Sequence, residues 1–524
     1  MASSVVALLL ATALVATTAV AWMLWKRYRW MTVARRYGFK GPKPHLFFGQ
    51  LQDYVGDLEK KNGEYVPNDM SIDRWIREYG GADKTICIYW GGYPMLLTTN
   101  LELIKEVFIK QFSKFQDRWT IPPFHLPPYN TTVLFATKET HWKPTRSLVS
   151  PAFTTGKLKA MSHILTGKID TFLAVMRKRA KTGQPFDVYG DLQALTLDVI
   201  AKIAFAVDCN ALNDRQDAFY LHVRAFFDNA DLRKTPLENF LMVFPEFKGC
   251  LSWLHRFTAS YKTEQALVKG LSQVYEERKR IQHEFKGVDA IQLMLETIDR
   301  DRSRRDDAVE DKAEMGAAQV IGNSLSYLLA GYETTSTALA YCASVLAKYP
   351  DVQARLQHEI DLMYADKEEL DYDAVHKLAY LNAVFKETLR FYPPVIVFTT
   401  RECLEETEAA GFTIPKGLLV NFNVQHIHHD PEIWDDPETF DPERFMDGRD
   451  RNNHPLAWVP FGVGPRNCVG LRFAELEFKM VVAKFLREFS FVMPEDQKGT
   501  ELKLGMNAVL MRPLNGVRVL VRPR

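Results

Sequence analysis

The segment FGVGPRNCVG (residues 461–470) places a single cysteine, Cys468, among three glycines, a proline and an arginine. A thiolate is a strong ligand for iron, and glycines let the backbone approach a flat cofactor and point N–H groups at the sulfur. Arg466 stands two residues earlier, where its guanidinium can pair with an acidic group of such a cofactor. The alternative is a buried structural cysteine after a tight turn, since free cysteines are often buried.

A second segment, AGYETTST (residues 330–337), brings a carboxylic acid and a hydroxyl together at Glu333 and Thr334. Consecutive residues do not share a face of a regular helix, so joint action requires a local distortion, which Gly331 makes easier. Ser and Thr are poor helix formers, which suggests a chemical role for the run. The alternative is that the hydroxyls bond back to the preceding helical turn.

Two further clusters combine charged or metal-ligating residues. Glu387 and Arg390 in KETLR lie one helical turn apart, on the same face, but such pairs are common on protein surfaces. The cluster HIHHD (residues 426–430) is a rival metal site, because histidine is the commonest transition-metal ligand. Alternation along the chain would send the first two histidines to one side and the third to the other, so the cluster does not converge on one point.

The spacing around the cysteine resembles the haem-thiolate signature F-x-x-G-x-R-x-C-x-G of the cytochrome P-450 family. Phe461, Gly464, Arg466, Cys468 and Gly470 fill every position of it. The resemblance implies a haem b cofactor whose iron is bound by the Cys468 thiolate, with Phe461, Arg466 and Gly470 beside the cofactor. It extends over nearly all the chain, because other motifs of the family follow in the right order.

Three of those motifs have implied roles. Glu387 and Arg390, with Arg444 in DPERF, match a structural triad that forms a buried charge network on the haem side of the fold. AGYETTST matches the A-G-x-[DE]-T element of the long helix that crosses the haem. This match implies that Glu333 and Thr334 are a catalytic acid–alcohol pair that helps to deliver protons.

The resemblance also implies four partners for the haem propionates. Trp142 and Arg146 match the W-x-x-x-R helix, Arg401 matches an arginine on a strand, and Arg118 matches an arginine before the loop over the substrate pocket. Pro144 lies inside the W-x-x-x-R unit, and proline fits without strain only in the first turn of a helix. The angle between the tryptophan and the arginine therefore stays open.

Within the family, the segments LVSPAFTTGKLKAM and PFGVGPRNCVGLRFA resemble the microsomal drug- and steroid-oxidising branch and thromboxane synthase. The first implied function is a monooxygenase that inserts one oxygen atom from O2 into an apolar substrate. Its electrons would come from NADPH through NADPH–cytochrome P-450 reductase, with cytochrome b5 as an optional second donor. The second is an isomerase or lyase that rearranges a peroxide without a reductase, and the third is a membrane haem carrier or sensor. Retention of Glu333 and Thr334 favours the monooxygenase.

Composition sets limits on other classes of function. Apolar residues make up 47% of the 524 residues and the net charge is only +1, so the chain can bury a large core and no global field favours a nucleic acid partner. The six cysteines are scattered without a C-x-x-C pair, which predicts a reducing compartment for the globular part. The segments at 120–132 and 237–254 border the substrate pocket by family position. Their apolar content suits an apolar ligand, although core packing would produce the same composition.

The N-terminus predicts a membrane anchor. Residues 5–25 carry no charge, are long enough to span a bilayer, and are followed by five basic residues up to position 36. A cleaved signal peptide is the alternative, because Ala19-Val20-Ala21 resembles a cleavage site. We expect an anchor (1–25), a basic and Pro/Gly-rich hinge (26–49) and one haem-thiolate catalytic domain (50–524). The implied location is the endoplasmic reticulum membrane, crossed once, with the catalytic domain in the cytosol.

Most of the body has helical periodicity, so the predicted fold is mainly α with a small β portion, the cytochrome P-450 fold behind an N-terminal transmembrane helix. A hairpin is expected around Gly91-Gly92, with short strands near 396–401, 411–421 and 507–521. The charged run at 299–307 is expected to be a solvated loop. Helices are predicted over residues 70–80, 101–112, 163–183, 192–207, 317–349, 352–364 and 474–489.

Overall fold

The computed structural model describes residues 2–67, 69–120, 132–303, 311–367, 369–397, 400–449, 453–507 and 510–524. Its α-helices are, in chain order, α1 (Ala2–Met31), α2 (Val33–Tyr37), α3 (Leu51–Lys60), α4 (Ser71–Tyr79), α5 (Leu101–Lys105), α6 (Glu139–Val149), α7 (Thr155–Thr182), α8 (Val188–Phe205), α9 (Ala218–Asn229), α10 (Pro236–Val243), α11 (Lys248–Leu251), α12 (Ala259–Arg280), α13 (Ala290–Ser303), α14 (Asp311–Lys348), α15 (Pro350–Asp366), α16 (Tyr372–Lys377), α17 (Ala379–Phe391), α18 (Val424–His428) and α19 (Leu471–Glu488).

The strands are short and form small sheets. They are β1 (Glu64–Tyr65), β2 (Thr85–Trp90), β3 (Tyr93–Thr98), β4 (Phe186–Asp187), β5 (Arg401–Glu402), β6 (Thr407–Ala409), β7 (Phe412–Ile414), β8 (Leu419–Phe422), β9 (Phe489–Val492), β10 (Leu504–Asn507), β11 (Leu510–Pro513) and β12 (Arg518–Pro523). The sheet orders are β2-β3-β8-β5, β1-β10-β11, β4-β12-β9 and β6-β7. Only β3 and β8 pair in parallel among these strands. The prediction of a mainly α fold with a small β portion is confirmed.

Helix α14 is the central element of the fold. It has 38 residues, about 57 Å at 1.5 Å per residue, and packs along α8 and against α12, α17 and α19. Gly331 lies where α14 meets α8, since a Cβ there would stand 3.0 Å from the side chain of Ile200. The glycine therefore permits close helix packing. The helix runs unbroken through this point, so the local distortion expected near Gly331 is not observed.

Several predicted elements match the structure closely. The hairpin turns at Gly91-Gly92 between β2 and β3, and α4, α8, α15 and α19 begin and end within a few residues of the expected positions. The helix predicted over 101–112 is irregular, because α5 ends at Lys105 and a π-helical segment follows over Glu106–Lys110. Its residues Val107 and Phe108 are fully buried, so tertiary packing accompanies the wider turn.

The loop predicted at 299–307 is wrong over residues 299–303, which belong to α13; residues 304–310 lie outside the described residues. Charge alone does not stop a helix, since arginine is a good helix former. The side chain of Gln282 also donates to the Asp299 carboxylate at 2.5 Å, which ties this end of α13 to the body.

The N-terminal region differs from the expected division at residue 25. Helix α1 continues to Met31 and α2 to Tyr37, and the first helix-ending residue is Gly38 with φ +73°. The stretch Val5–Met31 is long and apolar enough to cross a membrane, with a mean hydropathy of 2.2. Residues 38–49 are also packed and not a free hinge. A Cβ at Gly41 would lie 2.2 Å from the carbonyl oxygen of Cys87 on β2.

Candidate active site

Consecutive turns hold Cys468 between residue 459 and helix α19. The N–H of Cys468 donates to the Phe461 carbonyl at 2.9 Å, and the N–H of Asn467 donates to the Gly464 carbonyl at 3.0 Å. Gly464 has φ +72°, and a Cβ there would lie 1.9 Å from the carbonyl oxygen of Phe108, so this position requires glycine. Gly470 is the N-cap of α19, which places the thiol at the positive end of an 18-residue helix.

Groups around the Cys468 thiol oppose the effect of burial on its pKa and so favour the thiolate. Burial raises the pKa of the thiol, while the backbone N–H groups of Gly470 and Leu471 and the positive charges of Arg146 and Arg118 lower it. The residue lies deep inside the protein, yet its side chain is accessible. A group that contributes a metal cation can therefore reach the sulfur, and a coordinating thiol is deprotonated outright.

Four arginines gather around the cysteine loop: Arg118, Arg146, Arg401 and Arg466. The Arg118 guanidinium donates to the Arg466 carbonyl at 2.7 Å, and Arg146 donates to the Asn467 carbonyl at 2.9 Å. Arg466 donates in turn to the Thr137 carbonyl at 2.5 Å. Two of these bonds hold side chains against the backbone directly before the cysteine, and the third ties Arg466 to residue 137.

The arginines destabilise one another's charge. Burial, with the neighbouring arginines, lowers the pKa of Arg466 to about 9 and that of Arg118 to about 10, and it lowers the pKa of Arg401 well below its ordinary value. Nε and Nη1 of Arg466 and Nε of Arg401 are buried and have no hydrogen-bond partner among the described residues. Unpaired buried N–H groups and an excess of positive charge, which Asp117 offsets only in part at Arg466, fit an anionic group with two carboxylates, such as the haem propionates.

Trp142 and Arg146 on α6 both face the cysteine loop despite Pro144 between them. The Trp142 ring lies 5.0 Å from the Arg466 guanidinium, and Arg146 also donates to the Asn467 side chain at 3.2 Å. Pro144 lies inside the helix, which continues to Val149. The proline therefore does not separate the two side chains.

Phe461 and Gly470 occupy opposite ends of the loop. The Phe461 ring stacks on Phe385 of α17, with 6.3 Å between ring centroids, and so supports the loop from the core. A Cβ at Gly470 would lie 4.0 Å from the Cys468 sulfur, an ordinary contact. The structure places both residues beside the cysteine, and their contact with a cofactor stays a prediction.

The Glu387–Arg390 pair forms a buried network behind the loop. Arg390 binds Glu387 through two hydrogen bonds of 2.7 and 2.8 Å, both side chains are fully buried, and Arg444 lies 3.5 Å from the same carboxylate. Arg390 also donates to the His428 carbonyl at 2.8 Å, and His428 Nε2 accepts from the N–H of Val459, where the cysteine loop starts. The network thus reaches the cysteine loop through a histidine.

The histidine cluster at 426–430 has structural contacts. Burial lowers the pKa of His426 to about 4 and that of His428 well below its ordinary value, so both are neutral. His429 contacts the Phe391 carbonyl at 3.0 Å and the Glu438 carboxylate at 3.1 Å. Among the residues that the structure describes, no group of three His, Cys, Asp or Glu side chains is placed to hold a metal ion.

Glu333 and Thr334 have different partners. The Thr334 hydroxyl donates to the Ala330 carbonyl at 2.6 Å, the bond to the preceding turn that was the alternative interpretation. The Glu333 carboxylate is buried and accepts from the Tyr189 hydroxyl at 2.6 Å and from the Gln193 amide at 3.0 Å. Arg512 on β11 lies 3.5 Å from it. The two side chains are adjacent in sequence but do not contact each other through these bonds.

The sequence did not indicate several residues of the site. Tyr189, Gln193 and Arg512 lie more than 130 residues from Glu333 in the chain, and no local motif marks them. Asn467, within the cysteine segment, receives Arg146 through both its carbonyl and its side chain. In the sequence, a role for Asn467 was indicated only by its position next to the cysteine.

Comparison with known proteins agrees with this geometry. The cytochrome P450 family model matches residues 40–518. The chain is 34% identical to cytochrome P450 3A7 of Homo sapiens over 481 residues, which is 91% of this chain and 90% of the relative. It is 32% identical to cytochrome P450 3A12 of Canis lupus familiaris and to cytochrome P450 3A11 of Mus musculus, each over 94% of this chain and 92% of the relative.

The chain belongs to the cytochrome P450 family. It is a haem-thiolate monooxygenase, and the predicted enzyme class and haem cofactor are confirmed at this level. The apolar helix α1 is consistent with membrane anchoring.

Proposed function

We propose that the chain is a monooxygenase of the endoplasmic reticulum membrane that inserts one oxygen atom of O2 into an apolar small molecule. Its electrons come from NADPH through NADPH–cytochrome P450 reductase, and cytochrome b5 is an optional second donor. The observation that carries the proposal is the Cys468 loop surrounded by buried arginines, two of which have unpartnered nitrogen atoms.

Haem would be bound through two chemically distinct parts, its iron and its propionates. The Cys468 thiolate is the iron ligand, with Phe461 and Gly470 shaping the loop around it. The propionates pair with the N–H groups of Arg401 and Arg466, which relieves the repulsion among the buried guanidinium groups. Arg118, Arg146 and Trp142 complete this set of partners. When bound, haem supplies the iron at which O2 is reduced.

Glu333 and Thr334 would deliver protons to the oxygen chemistry. A carboxylic acid is a suitable proton donor, and the hydroxyl of Thr334 can relay the proton toward the reacting oxygen. Glu333 has three polar partners, Tyr189, Gln193 and Arg512, so its carboxylate is held in a defined position.

A mostly apolar cavity of about 60 Å³ is lined by residues that include Thr400, next to Arg401 in the chain, and it is smaller than the ~300–1,000 Å³ typical of pockets that hold a drug-sized ligand. Its lining includes Ile88, Trp119 and Val397, and Thr400 and Asn421 are its two polar side chains. The pocket segment expected at 120–132 lies outside the described residues from 121 to 131. In the segment at 237–254, Leu241 and Met242 are buried, whereas Trp253 is 51% exposed.

The proposed location rests on α1 and the basic residues that follow its apolar part. A single uncleaved helix with positive charge at its inner end would leave the catalytic domain in the cytosol. The reductase of the endoplasmic reticulum faces the same compartment, so electron transfer requires no further crossing of the membrane.

The test is reconstitution of the full-length chain with purified reductase in lipid. Lipids, steroids and xenobiotics are first screened for a spectral shift of the haem, and positives are assayed for NADPH consumed against product formed. The expected result is product formation that requires NADPH, reductase and O2. Full turnover of an organic peroxide without reductase would instead establish an isomerase, and binding without turnover under both conditions would establish a carrier.

A further inference from the structure

Helix α8 and strand β11, which pack on one face of α14, supply the polar contacts of the Glu333 carboxylate. Tyr189 and Gln193 of α8 donate to its two oxygens, and Arg512 of β11 lies 3.5 Å from the oxygen that Tyr189 binds. The carboxylate is 1% exposed. All its polar contacts therefore come from protein groups that have fixed positions in the fold.

Three residues of α14 at four-residue spacing, Glu333, Thr337 and Tyr341, hold α8 and β11 against this helix. The Tyr189 hydroxyl contacts the Thr337 hydroxyl at 3.1 Å as well as Glu333, and the Tyr341 hydroxyl donates to the Met511 carbonyl at 2.8 Å. Residues four apart share a helix face, so 333, 337 and 341 form one row. Because Met511 precedes Arg512 directly, the position of the guanidinium relative to Glu333 is set by this row.

Arg512 binds a second carboxylate on its outer side. Its guanidinium lies 3.4 Å from Asp228, near the end of α9, and Asp228 is 51% exposed. Burial alone would lower the pKa of Arg512, but the carboxylates of Glu333 and Asp228 are among the groups that outweigh burial and raise it. Arg512 is thus a permanent cation between a buried acid and a solvent-facing acid.

A polar cavity of about 290 Å³ lies against the same pair. Its lining includes Gln193, Arg224, Asp228, Glu333 and Arg512. The volume is well above the ~10–15 Å³ that one water molecule needs, and the lining offers donors and acceptors, so several waters can enter together. Water can therefore connect the Glu333 carboxylate with Asp228 at the surface.

We propose that Arg512 is a positioning residue that holds the Glu333 carboxylate at the inner end of this cavity, and that Glu333 takes up its protons from the cavity water. The inference rests on the proposed role of Glu333 as proton donor. One turnover consumes O2, two electrons and two protons, and yields the oxygenated product and one water. The electrons come from the reductase, and neither Glu333 nor Arg512 changes its oxidation state.

The charge of Arg512 also explains how the Glu333 side chain would alternate between the cavity and Thr334. The guanidinium attracts the ionised carboxylate and draws it to the cavity, where it accepts a proton from water. Protonation removes the charge attraction, so the neutral carboxyl group is released from Arg512 and can turn toward Thr334. Once it has given up the proton, the carboxylate is drawn back.

The experiment compares Arg512→Gln, Arg512→Lys and a control, Arg518→Gln, in the full-length enzyme with reductase. Arg518 lies on the neighbouring strand β12 and pairs with Asp496 on the surface. Full loss of general acid assistance costs ~10²- to 10⁴-fold, so we expect Arg512→Gln, which leaves the acid in place, to lower product per NADPH about tenfold. Arg512→Lys keeps the positive charge and should restore most of the yield, and Arg518→Gln should leave the yield unchanged.

A second readout does not depend on turnover. Thermal unfolding of the haem-loaded parent, Arg512→Gln, Glu333→Gln and the double variant should show that the Arg512 substitution costs less stability once Glu333 is neutral. Should Arg512→Gln fail to fold, Tyr189→Phe removes one donor to Glu333 and should also lower product per NADPH. Tyr364→Phe, on α15 and outside the lining of this cavity, is its control.

The outcomes separate this inference from the function on which it rests. An unchanged yield in Arg512→Gln, together with a clear loss in Glu333→Gln, would overturn the role of Arg512 and leave Glu333 as the proton donor. An unchanged yield in Glu333→Gln would overturn the proton role of Glu333 and this inference with it.

Discussion

Burying several guanidinium groups around one loop is unfavourable unless anions accompany them. Arg401 is 1% exposed and Arg466 is 3% exposed, and each lies near other arginines of the cluster. In the protein alone, part of their hydrogen-bonding capacity is unused. The cluster therefore destabilises the protein without an anionic partner and stabilises the complex with one, which couples folding of this region to cofactor binding.

Arg466→Leu should weaken haem retention. The substitution removes a charge-assisted partner of a propionate, and such bonds contribute ~1.5–3 kcal/mol each, so the rate of haem loss should rise roughly ten- to a hundredfold. Transfer of haem to an excess of apomyoglobin measures this rate. Arg472→Leu, at an exposed arginine of α19, is the control. Equal rates in Arg466→Leu and the parent would remove Arg466 from the propionate site.

Cys468→Ser should abolish the thiolate spectrum. Serine keeps the shape of the loop but replaces the sulfur, so the reduced carbon monoxide complex should lose the red-shifted band typical of the family, and product formation should stop. Cys250→Ser changes an exposed cysteine and should leave both intact. If Cys468→Ser kept the band, another residue would be the iron ligand.

Local spacing could predict one part of the site and not the other. The cysteine loop and the Glu387–Arg390 pair are contiguous motifs, so their residues lie together in the fold as expected. Arg512 meets Glu333 only because β11 packs on α14 through Tyr341, a contact between distant parts of the chain. Arg118 carries no local signal beyond its place in the family pattern, yet it donates to the backbone of the cysteine loop.

Among the elements, different faces of helix α14 have different roles. The row formed by Glu333, Thr337 and Tyr341 binds α8 and β11, whereas the neighbouring Thr334 is partly exposed and bonds to its own preceding turn. An unbroken helix keeps these two residues about 100° apart. Cooperation between them therefore requires the Glu333 side chain to move and not the helix to unwind.

Thr334→Ala should uncouple electron use from product formation. The variant should retain the fold, the haem and substrate binding, because among the described residues the hydroxyl bonds to the Ala330 carbonyl of its own helix and to no other group. Product formation should fall by a factor within the ~10²- to 10⁴-fold range of general acid assistance, while NADPH consumption falls much less and peroxide is released. Thr334→Ser keeps the hydroxyl and should recover most of the yield. A parent-like ratio of product to NADPH in Thr334→Ala would exclude the residue from the mechanism.

A buried histidine joins three elements of the segment between α9 and α12. His255 contacts Glu238 of α10 at 3.1 Å and lies 4.0 Å from Glu264 of α12. Burial alone would lower the pKa of His255, but the two carboxylates outweigh burial and raise it from 6.5 to about 9. The protonated imidazole thus balances part of the negative charge between the two helices.

This histidine should make the stability of the segment depend on pH. Because the pKa is raised on folding, its contribution is fully present below pH 6.5 and is lost as the pH rises through about 9. The loss of melting temperature caused by His255→Gln should therefore be largest below pH 6.5 and should disappear above pH 9. His163→Gln, at an exposed histidine of α7, should show no such trend. A loss that is independent of pH would contradict the charged state of His255.

Long periodic segments were the elements that the sequence predicted best. Helices such as α8 bury almost every residue, so their apolar pattern is strong and their extent follows from it. The failures lie where packing or charge overrides the pattern. Residues 299–303 are helical despite their charges, and residues 106–110 adopt a π-helix in which Val107 and Phe108 are buried.

For the whole molecule, a buried arginine is one of the residues that join the anchor to the catalytic domain, in addition to Met31, which packs in the same hydrophobic core cluster as Tyr89. Arg27, near the end of α1, is 4% exposed and donates to the carbonyls of Leu46 at 3.1 Å, Val243 at 2.7 Å and Phe47. It also pairs with Glu246 at 3.3 Å. The anchor is therefore attached to the segment that follows α10, and not only through the backbone between residues 38 and 49.

Removal of the anchor should thus have two separable effects. A chain that starts at Lys40 loses the apolar helix, so it should be more soluble, and it should still bind haem, because every residue of the haem site lies beyond position 100. It also loses Arg27, so residues 236–257 should be cleaved faster in limited proteolysis, as judged by mass spectrometry of the fragments. Full-length Arg27→Ala should show the faster cleavage without the gain in solubility.

Arg29→Ala is the control for that variant, because Arg29 lies over the Trp25 ring of its own helix and not against the catalytic domain. Equal protection of residues 236–257 in the parent, Arg27→Ala and the shortened chain would show that Arg27 does not hold this segment. A mature full-length protein that begins near Trp22 would show that the apolar helix is cleaved, and the membrane attachment would then need another cause. If neither is observed, the bond between Arg27 and Val243, 216 residues apart in the chain, helps to hold the anchor helix against the catalytic domain.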